Sequence, residues 1–179
     1  FAILSGNAVL ADCDVDAADL HLLLSPAIER REPFISGHPA VIAPEDCIAC
    51  GECHKLCRYD AVQVHDLSGK TTYRIDPLAC EGCGLCVLAC PVFAIAFPEG
   101  KCGEWYVSRT RAGTMVHARL NPGAENSGRL VTLVRSEARH IAEAEGRDLI
   151  LVDGPPGIGC PVIASLSGAS LVLAVAEPT

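Results

Sequence analysis

Eight of the eleven cysteines fall into two copies of one spacing, Cys47-x2-Cys50-x2-Cys53-x3-Cys57 and Cys80-x2-Cys83-x2-Cys86-x3-Cys90. No other feature restricts the fold as strongly, because thiols repeated at intervals of three residues sit on one tight loop and face a common point. The copies are offset by 33 residues, and the offset carries more than the cysteines. Ile42-x-Pro44 recurs as Ile75-x-Pro77, Gly51 as Gly84, and Ala61-Val62 as Ala94-Ile95. A period of this length also marks helical solenoids, which need at least three stacked repeats. Here there are two copies and cysteines dominate both, so a pseudo-twofold unit built around bound metal is expected.

The spacing sets the metal chemistry. Three thiolates on one loop cap three corners of a cubane, and the fourth, carried away by the start of a helix, reaches the other cluster. One [4Fe–4S] cluster then takes Cys47, Cys50, Cys53 and Cys90, and a second takes Cys80, Cys83, Cys86 and Cys57. Gly51, Gly82 and Gly84 let backbone amides turn inward toward the sulfides. Zinc is the alternative, since Cys-x2-Cys pairs also build zinc ribbons, but a four-ligand zinc site gives no reason for a third cysteine at the same interval. Arg58 stands where Pro91 stands in the second copy, which shifts a helix start and removes no ligand. The pattern is that of a bacterial-type two-cluster ferredoxin module. His54 is read as a surface residue near a cluster, and Cys13, Cys102 and Cys160 as small buried apolar residues.

Composition excludes several other classes. The net charge is −8 with no run of Lys or Arg, which argues against a nucleic-acid partner. An odd cysteine count, metal-ligand spacing and no visible signal peptide argue against a secreted disulfide scaffold and for a reducing cytoplasm. Residues 154–176 carry no charge, but their glycines and prolines read as loop, short helix and buried strand rather than a membrane span.

Three blocks follow along the chain. Residues 1–28 hold an apolar run, Ala8-Val9-Leu10-Ala11, that ends in Asp12, Asp14 and Asp16; Asp19–Leu24 then reads as a short helix stopped by Pro26. Residues 29–100 hold the cysteine repeats, with a hairpin turn over 65–72. Residues 101–179 return to α/β patterning. They hold extended segments at 104–109 and 114–120, and a surface helix over 127–145 ended by Gly146. A parallel-type strand follows at Leu149-Ile150-Leu151-Val152, capped by Asp153, and a second buried strand at 170–176. One α/β sheet domain with the cysteine block inserted is expected. Ser68-Gly69-Lys70-Thr71 is not a phosphate loop, because Val64 stands where its first glycine belongs. Gly157-x-Gly159 fails as a dinucleotide fingerprint because Val162 replaces the third glycine.

The flanking blocks resemble a known family. Val9-Leu10-Ala11-Asp12-Cys13-Asp14-Val15-Asp16-Ala17-Ala18-Asp19-Leu20 is similar to the switch I strand of MinD/Mrp-type P-loop ATPases. Leu149-Ile150-Leu151-Val152-Asp153-Gly154-Pro155-Pro156-Gly157-Ile158-Gly159 is similar to their Walker B strand and switch II, and Ala174-Val175-Ala176-Glu177-Pro178-Thr179 to the strand that follows. The whole chain thus resembles a MinD-superfamily ATPase with an inserted ferredoxin domain. The resemblance implies an incomplete P-loop-type, mostly parallel sheet, with ATP and Mg²⁺ as ligands of the complete protein. It implies Asp153 as the Walker B carboxylate near Mg²⁺, Asp14 as the group orienting the attacking water, Asp12 as an assistant near Mg²⁺, and amides around Gly157 as γ-phosphate sensors; Asp16 and Asp19 fit less well. It also implies a homodimer formed through the ATPase domain, and a redox protein or an apo iron–sulfur protein as partner. The family's Lys-Gly-Gly-x-Gly-Lys-Thr loop is absent from the eleven residues before Asp12. An interior piece of a longer ATPase, itself unable to hydrolyse ATP, is therefore expected, with residues 1–7 as the tail of a helix. The leading functional expectation is an ATPase coupled to electron transfer, similar in logic to the nitrogenase iron protein. The alternatives are an Mrp-type cluster scaffold and a non-enzymatic electron carrier. Cys160 after the Walker B strand, with Cys102, gives a further alternative: a third cluster held between subunits.

Overall fold

The computed structural model describes residues 1–67, 69–122, 124 and 127–176. Along the chain the elements are α1 (Ala2–Ser5), β1 (Ala8–Asp12), α2 (Leu20–Leu24), β2 (Ala27–Ile35), β3 (Val41–Ile42), α3 (Glu52–Leu56), β4 (Val62–Leu67), β5 (Lys70–Ile75), α4 (Leu85–Ala89) and β6 (Ile95–Ala96). They continue with β7 (Lys101–Thr110), β8 (Gly113–Leu120), α5 (Ser127–Glu145), β9 (Leu149–Asp153) and α6 (Cys160–Leu166). The chain divides into a sheet unit, Phe1–Phe34 with Gly103–Pro122 and 127–176, and a cysteine unit, Ile35–Cys102.

The sheet unit is a mixed α/β layer with strand order β2-β7-β8-β1-β9. β1 runs parallel to both neighbours, β8 and β9, whereas β7 and β8 are antiparallel. The antiparallel pair is forced by a tight turn, since parallel neighbours need a long crossover. All five residues of β1 are buried. On one side Ala8 and Leu10 meet Met115, Ala112 and Leu24 of α2. α5 lies against β1 and β8 and buries one stripe, Leu130, Val131, Val134, Ala138 and Ala142. A strand covered on both faces reads as a continuous apolar run, which is why Ala8–Ala11 is legible as one. Among the described residues, no helix is long and apolar enough to cross a membrane.

Two expectations about this unit need correction. The sequence blocks assign 29–100 to the cysteine repeats, but residues 29–34 belong to the sheet unit. β2 is an edge strand hydrogen-bonded to β7 and flanked by ion pairs: Arg109 pairs with Glu29 at 2.9 Å, Arg30 with Glu137 at 2.6 Å, and the Arg31 Nε–H donates to Glu104 at 2.9 Å. Charged side chains suit a sheet edge, where they discourage pairing with other chains. The second correction concerns 170–176, expected as a buried strand. Residues 171–176 have no regular structure, and Leu171 and Val175 are 86% and 88% exposed. An apolar run becomes a strand only where a neighbour supplies its ladder, and no described segment pairs with this one. Ser68 and residues 177–179, the end of the strand expected there, lie outside the described residues.

Candidate metal centre

The 33-residue offset is written into the backbone of the cysteine unit. β3 pairs antiparallel with β6, setting Ile42 opposite Ile95. β4 pairs with β5, setting Val62 opposite Ile75. Shifting the first pair by the offset gives the second with the copies exchanged, so each copy begins beside the end of the other. The connecting amides agree: Ala43 N–H donates to Ala94 O and Asp76 N–H to Ala61 O, both at 2.8 Å. Left-handed residues recur in the same register, Ala49 with Gly82, Gly51 with Gly84, and Asp60 with Phe93. Gly51 at φ 78 and Gly84 at φ 73 reverse the chain between the second and third cysteines, a conformation that costs a glycine little.

Each reversal starts a five-residue helix, α3 or α4, with the third cysteine in its first turn. The spacing predicts that the start of a helix carries the fourth cysteine away. The fourth cysteine instead caps the end of one: Cys57 follows α3 at φ −72, ψ 115, and Cys90 follows α4 at φ −74, ψ 111. The near identity of these angles shows that Arg58 in place of proline leaves the local path unchanged. A short helix followed by an extended residue throws the fourth thiol away from its own loop.

The thiols gather around two hollows. Cys47, Cys50, Cys53 and Cys90 line the first, about 330 Å³ and open to solvent, with Ile42, Ile95, Ile48, Val92 and Tyr73. Cys57, Cys80, Cys83 and Cys86 line the second, about 390 Å³, with Val62, Ile75, Ala40, Tyr59 and Leu85. Cys53 is buried whereas Cys50 and Cys83 are exposed, so in each set the middle cysteine of the loop lies outermost. Burial pushes the Cys53 thiol up to about 11 and raises that of Cys86, and neighbouring thiols add to both shifts. Such thiols ionise when a bound cation replaces the proton. Ala49 N–H points at Cys47 Sγ (3.4 Å) and Ala94 N–H at Cys90 Sγ (3.3 Å). Among the described residues no three His, Cys, Asp or Glu side chains converge enough to hold one metal ion. Thiols spread around a hollow suit a multi-iron group, whose corners stand apart. The donor set is soft thiolate throughout, as iron–sulfur clusters require. The apolar residues between the hollows form one small core, and a unit this size gains much of its stability from bound metal.

The other cysteines and His54 are placed as follows. Cys13 is wholly buried and its thiol is pushed up to about 12, first by burial. Cys102 donates its S–H to Ser36 O at 2.6 Å. Cys160 is exposed rather than buried, because it opens α6 on a turn that faces solvent. His54 is exposed and its Nδ1 lies 2.6 Å from Val62 O.

In the sheet unit, Asp12 and Asp153 stand in register at the C-terminal ends of β1 and β9. Asp12 is 0% exposed, and neither carboxylate oxygen has a hydrogen-bond partner within normal distance among the described residues. Burial, then the nearby Asp153, pushes its carboxyl up to about 7. Burial also raises Asp153, with Asp14 adding to it. Asp14 Oδ1 accepts Ala17 N–H at 3.4 Å, a local turn contact. Gly157 lies on an exposed loop at φ 98, and Asp16 and Asp19 are exposed. The structure thus brings Asp12 and Asp153 together and gives Asp14 a turn to hold.

Two groups escape a reading of the sequence. Ser108 Oγ and His117 Nε2, both buried, lie 2.8 Å apart across β7 and β8. Burial, with His21 nearby, lowers His117 to about 4. Tyr73 lines the first hollow. Its signal is a break in the repeat, since the offset sets Ala40 against it.

Known proteins share parts of this organisation. An uncharacterized protein of Methanocaldococcus jannaschii is 32% identical over 174 residues, which cover 97% of this chain and 58% of that protein. The indolepyruvate oxidoreductase subunit IorA of Methanothermobacter marburgensis is 39% identical over 70 residues, 39% of this chain and 10% of its own length. A Ferredoxin 7Fe of Hydrogenibacillus schlegelii is 33% identical over 76 residues, 40% of this chain and 92% of its own. This chain therefore spans little more than half of the Methanocaldococcus relative that matches it end to end. Residues 40–97, the stretch that encloses both hollows, match a 4Fe-4S dicluster domain, and the chain carries such an iron–sulfur, ferredoxin-like domain.

Proposed function

We propose that the chain stores and passes single electrons at two [4Fe–4S] clusters, one held by Cys47, Cys50, Cys53 and Cys90 and one by Cys57, Cys80, Cys83 and Cys86. The observation that carries this reading is the crossed lining of the two hollows, each with three thiols of one copy and one of the other. A bound cluster supplies reversible one-electron chemistry. The chain supplies the thiolates, walls them with Ile42 and Ile95 or Val62 and Ile75, and leaves Cys50 and Cys83 outermost, where a redox partner protein reaches them. The ferredoxin and oxidoreductase relatives support this role. Anaerobic reconstitution tests it: about eight irons and eight sulfides per chain, with a reducible spectrum, are expected. Zinc bound in preference to iron would sink it.

The sheet unit supports a finer proposal, that the complete protein is a MinD/Mrp-type ATPase coupling nucleotide state to electron transfer. Ligands of open α/β sheets sit beyond the C-terminal strand ends, where Asp12 and Asp153 lie side by side. The buried Asp12 carboxylate, without a hydrogen-bond partner among the described residues, is the observation in its favour. In that reading Asp153 and Asp12 face Mg²⁺, Asp14 orients water and amides near Gly157 meet phosphate. These carboxylates do not form a cation site by themselves among the described residues, and the sequence lacks a phosphate loop. Nucleotide binding and a homodimer are therefore assigned to a longer polypeptide on the scale of the Methanocaldococcus relative. Phosphate release by that polypeptide, lost in Asp153→Asn, is the expected result. No turnover with clusters intact leaves the electron-carrier reading alone. The exposure of Cys50 and Cys83 also favours an Mrp-type cluster carrier, in which clusters move to an apo iron–sulfur protein; retention in the presence of apo-acceptor excludes it.

A further inference from the structure

The equivalent glycines of the two cysteine loops are roofed by different aromatic residues. A methyl group placed on Gly51 would stand 2.9 Å from the Tyr73 hydroxyl oxygen, so the hydroxyl lies over the link between Cys50 and Cys53. At the equivalent Gly84 the same methyl group would meet the Phe97 ring, with Cε1 and Cζ at 3.3 Å. One roof carries an O–H and the other does not. The Tyr73 ring is held in place by a stack on His54, 5.7 Å between centroids, and His54 is anchored on Val62 O. Phe97 stacks in the same way on His38 at 5.1 Å. Glu52 lines the first hollow and pairs with Lys55 at 2.8 Å, and Glu81 lines the second. Tyr59 also brings a hydroxyl-bearing ring to the second hollow but is 51% exposed, whereas Tyr73 is half-buried.

We infer that the Tyr73 hydroxyl makes the Cys47–Cys50–Cys53–Cys90 site the one that takes the first electron. The inference rests on the ligation proposed above. One electron added to a cluster increases its negative charge, and hydrogen-bond donors near the sulfurs raise the potential by stabilising that charge. Tyr73 offers a donor over Gly51 at the first site, while the ring over the equivalent Gly84 is Phe97, which has none.

The experiment is a potentiometric titration of the anaerobic holoprotein, followed by electron paramagnetic resonance, with the titrant supplying one electron per cluster. Two waves are expected in the wild type. Tyr73→Phe lowers the higher wave about tenfold in equilibrium constant, roughly 59 mV for a one-electron couple, and leaves the lower wave in place. Phe97→Tyr, which installs the missing hydroxyl, raises the lower wave. Iron and sulfide counts separate the two levels of inference. Fewer than two cubanes in the wild type overturn the ligation and this inference with it. Two cubanes whose potentials Tyr73→Phe leaves unchanged overturn this inference alone, as does a shift produced by Tyr59→Phe and not by Tyr73→Phe.

Discussion

Replacing Asp12 with Asn should reshape how the sheet unit responds to pH. The Asp12 carboxylate is 0% exposed, has no hydrogen-bond partner within normal distance among the described residues, and is pushed from 3.8 up to about 7. The folded protein thus keeps a proton that the unfolded chain releases across that window. Its contribution to stability is full below about pH 4 and is lost as pH rises toward 7, roughly 4 kcal/mol in all at 1.36 kcal/mol per unit. His117 has the opposite sign. It is lowered from 6.5 to about 4, so its contribution is full above 6.5 and is lost as pH falls. Between pH 5 and 6.5 the two slopes oppose each other in the wild type. Asp12→Asn removes one of them, and the change in stability from pH 6.5 to 5 should then be more negative than in the wild type by about 2 kcal/mol. At pH 8 the variant should be the more stable by about 1–3 kcal/mol, after allowing for the cost of a buried amide. Trp105, the sole tryptophan, is 9% exposed and lies under the Arg30 guanidinium at 4.5 Å, so its fluorescence reports the sheet unit. Guanidinium unfolding of the cluster-loaded protein at pH 5, 6.5 and 8 supplies the measurement. A variant less stable than wild type at pH 8, or one with an unaltered pH profile, would show that the Asp12 carboxylate is ionised and compensated in the fold.

Other outcomes follow from the same geometry. Cys57→Ala should cost the cluster of the second motif: added to Cys83→Ala it removes no further iron, while added to Cys50→Ala it removes both clusters. Uncrossed ligation reverses that pattern in iron assays. Gly84→Ala places a methyl group 3.3 Å from Phe97 at φ 73 and should destabilise the holoprotein by about 1–2 kcal/mol, read as faster cluster loss to a chelator. Ser108→Ala leaves buried His117 without its partner and should cost about 1–3 kcal/mol in Trp105-monitored unfolding, with no change in iron content.

The cysteine unit is legible in the sequence because its constraint is local. Intervals of three residues fix which thiols share a loop, and a repeated offset implies a twofold arrangement whatever the intervening residues do. The apolar runs at Ala8–Ala11 and Leu149–Val152 and the 127–145 helix are legible for a similar reason, since covered strands and amphipathic helices imprint their periods on the chain. Features that depend on distant neighbours leave no such imprint. The run at 170–176 has the composition of a strand but no strand beside it among the described residues. Residues 29–34 join the sheet beside β7, and their ion-pair partners Glu104, Arg109 and Glu137 are all more than 70 positions away. Tyr73 reaches the Gly51 roof and the Asp12 carboxylate is buried through packing that no spacing records. Ligand identity follows from spacing along the chain, whereas the burial and fields that tune each group follow from atoms brought together across it.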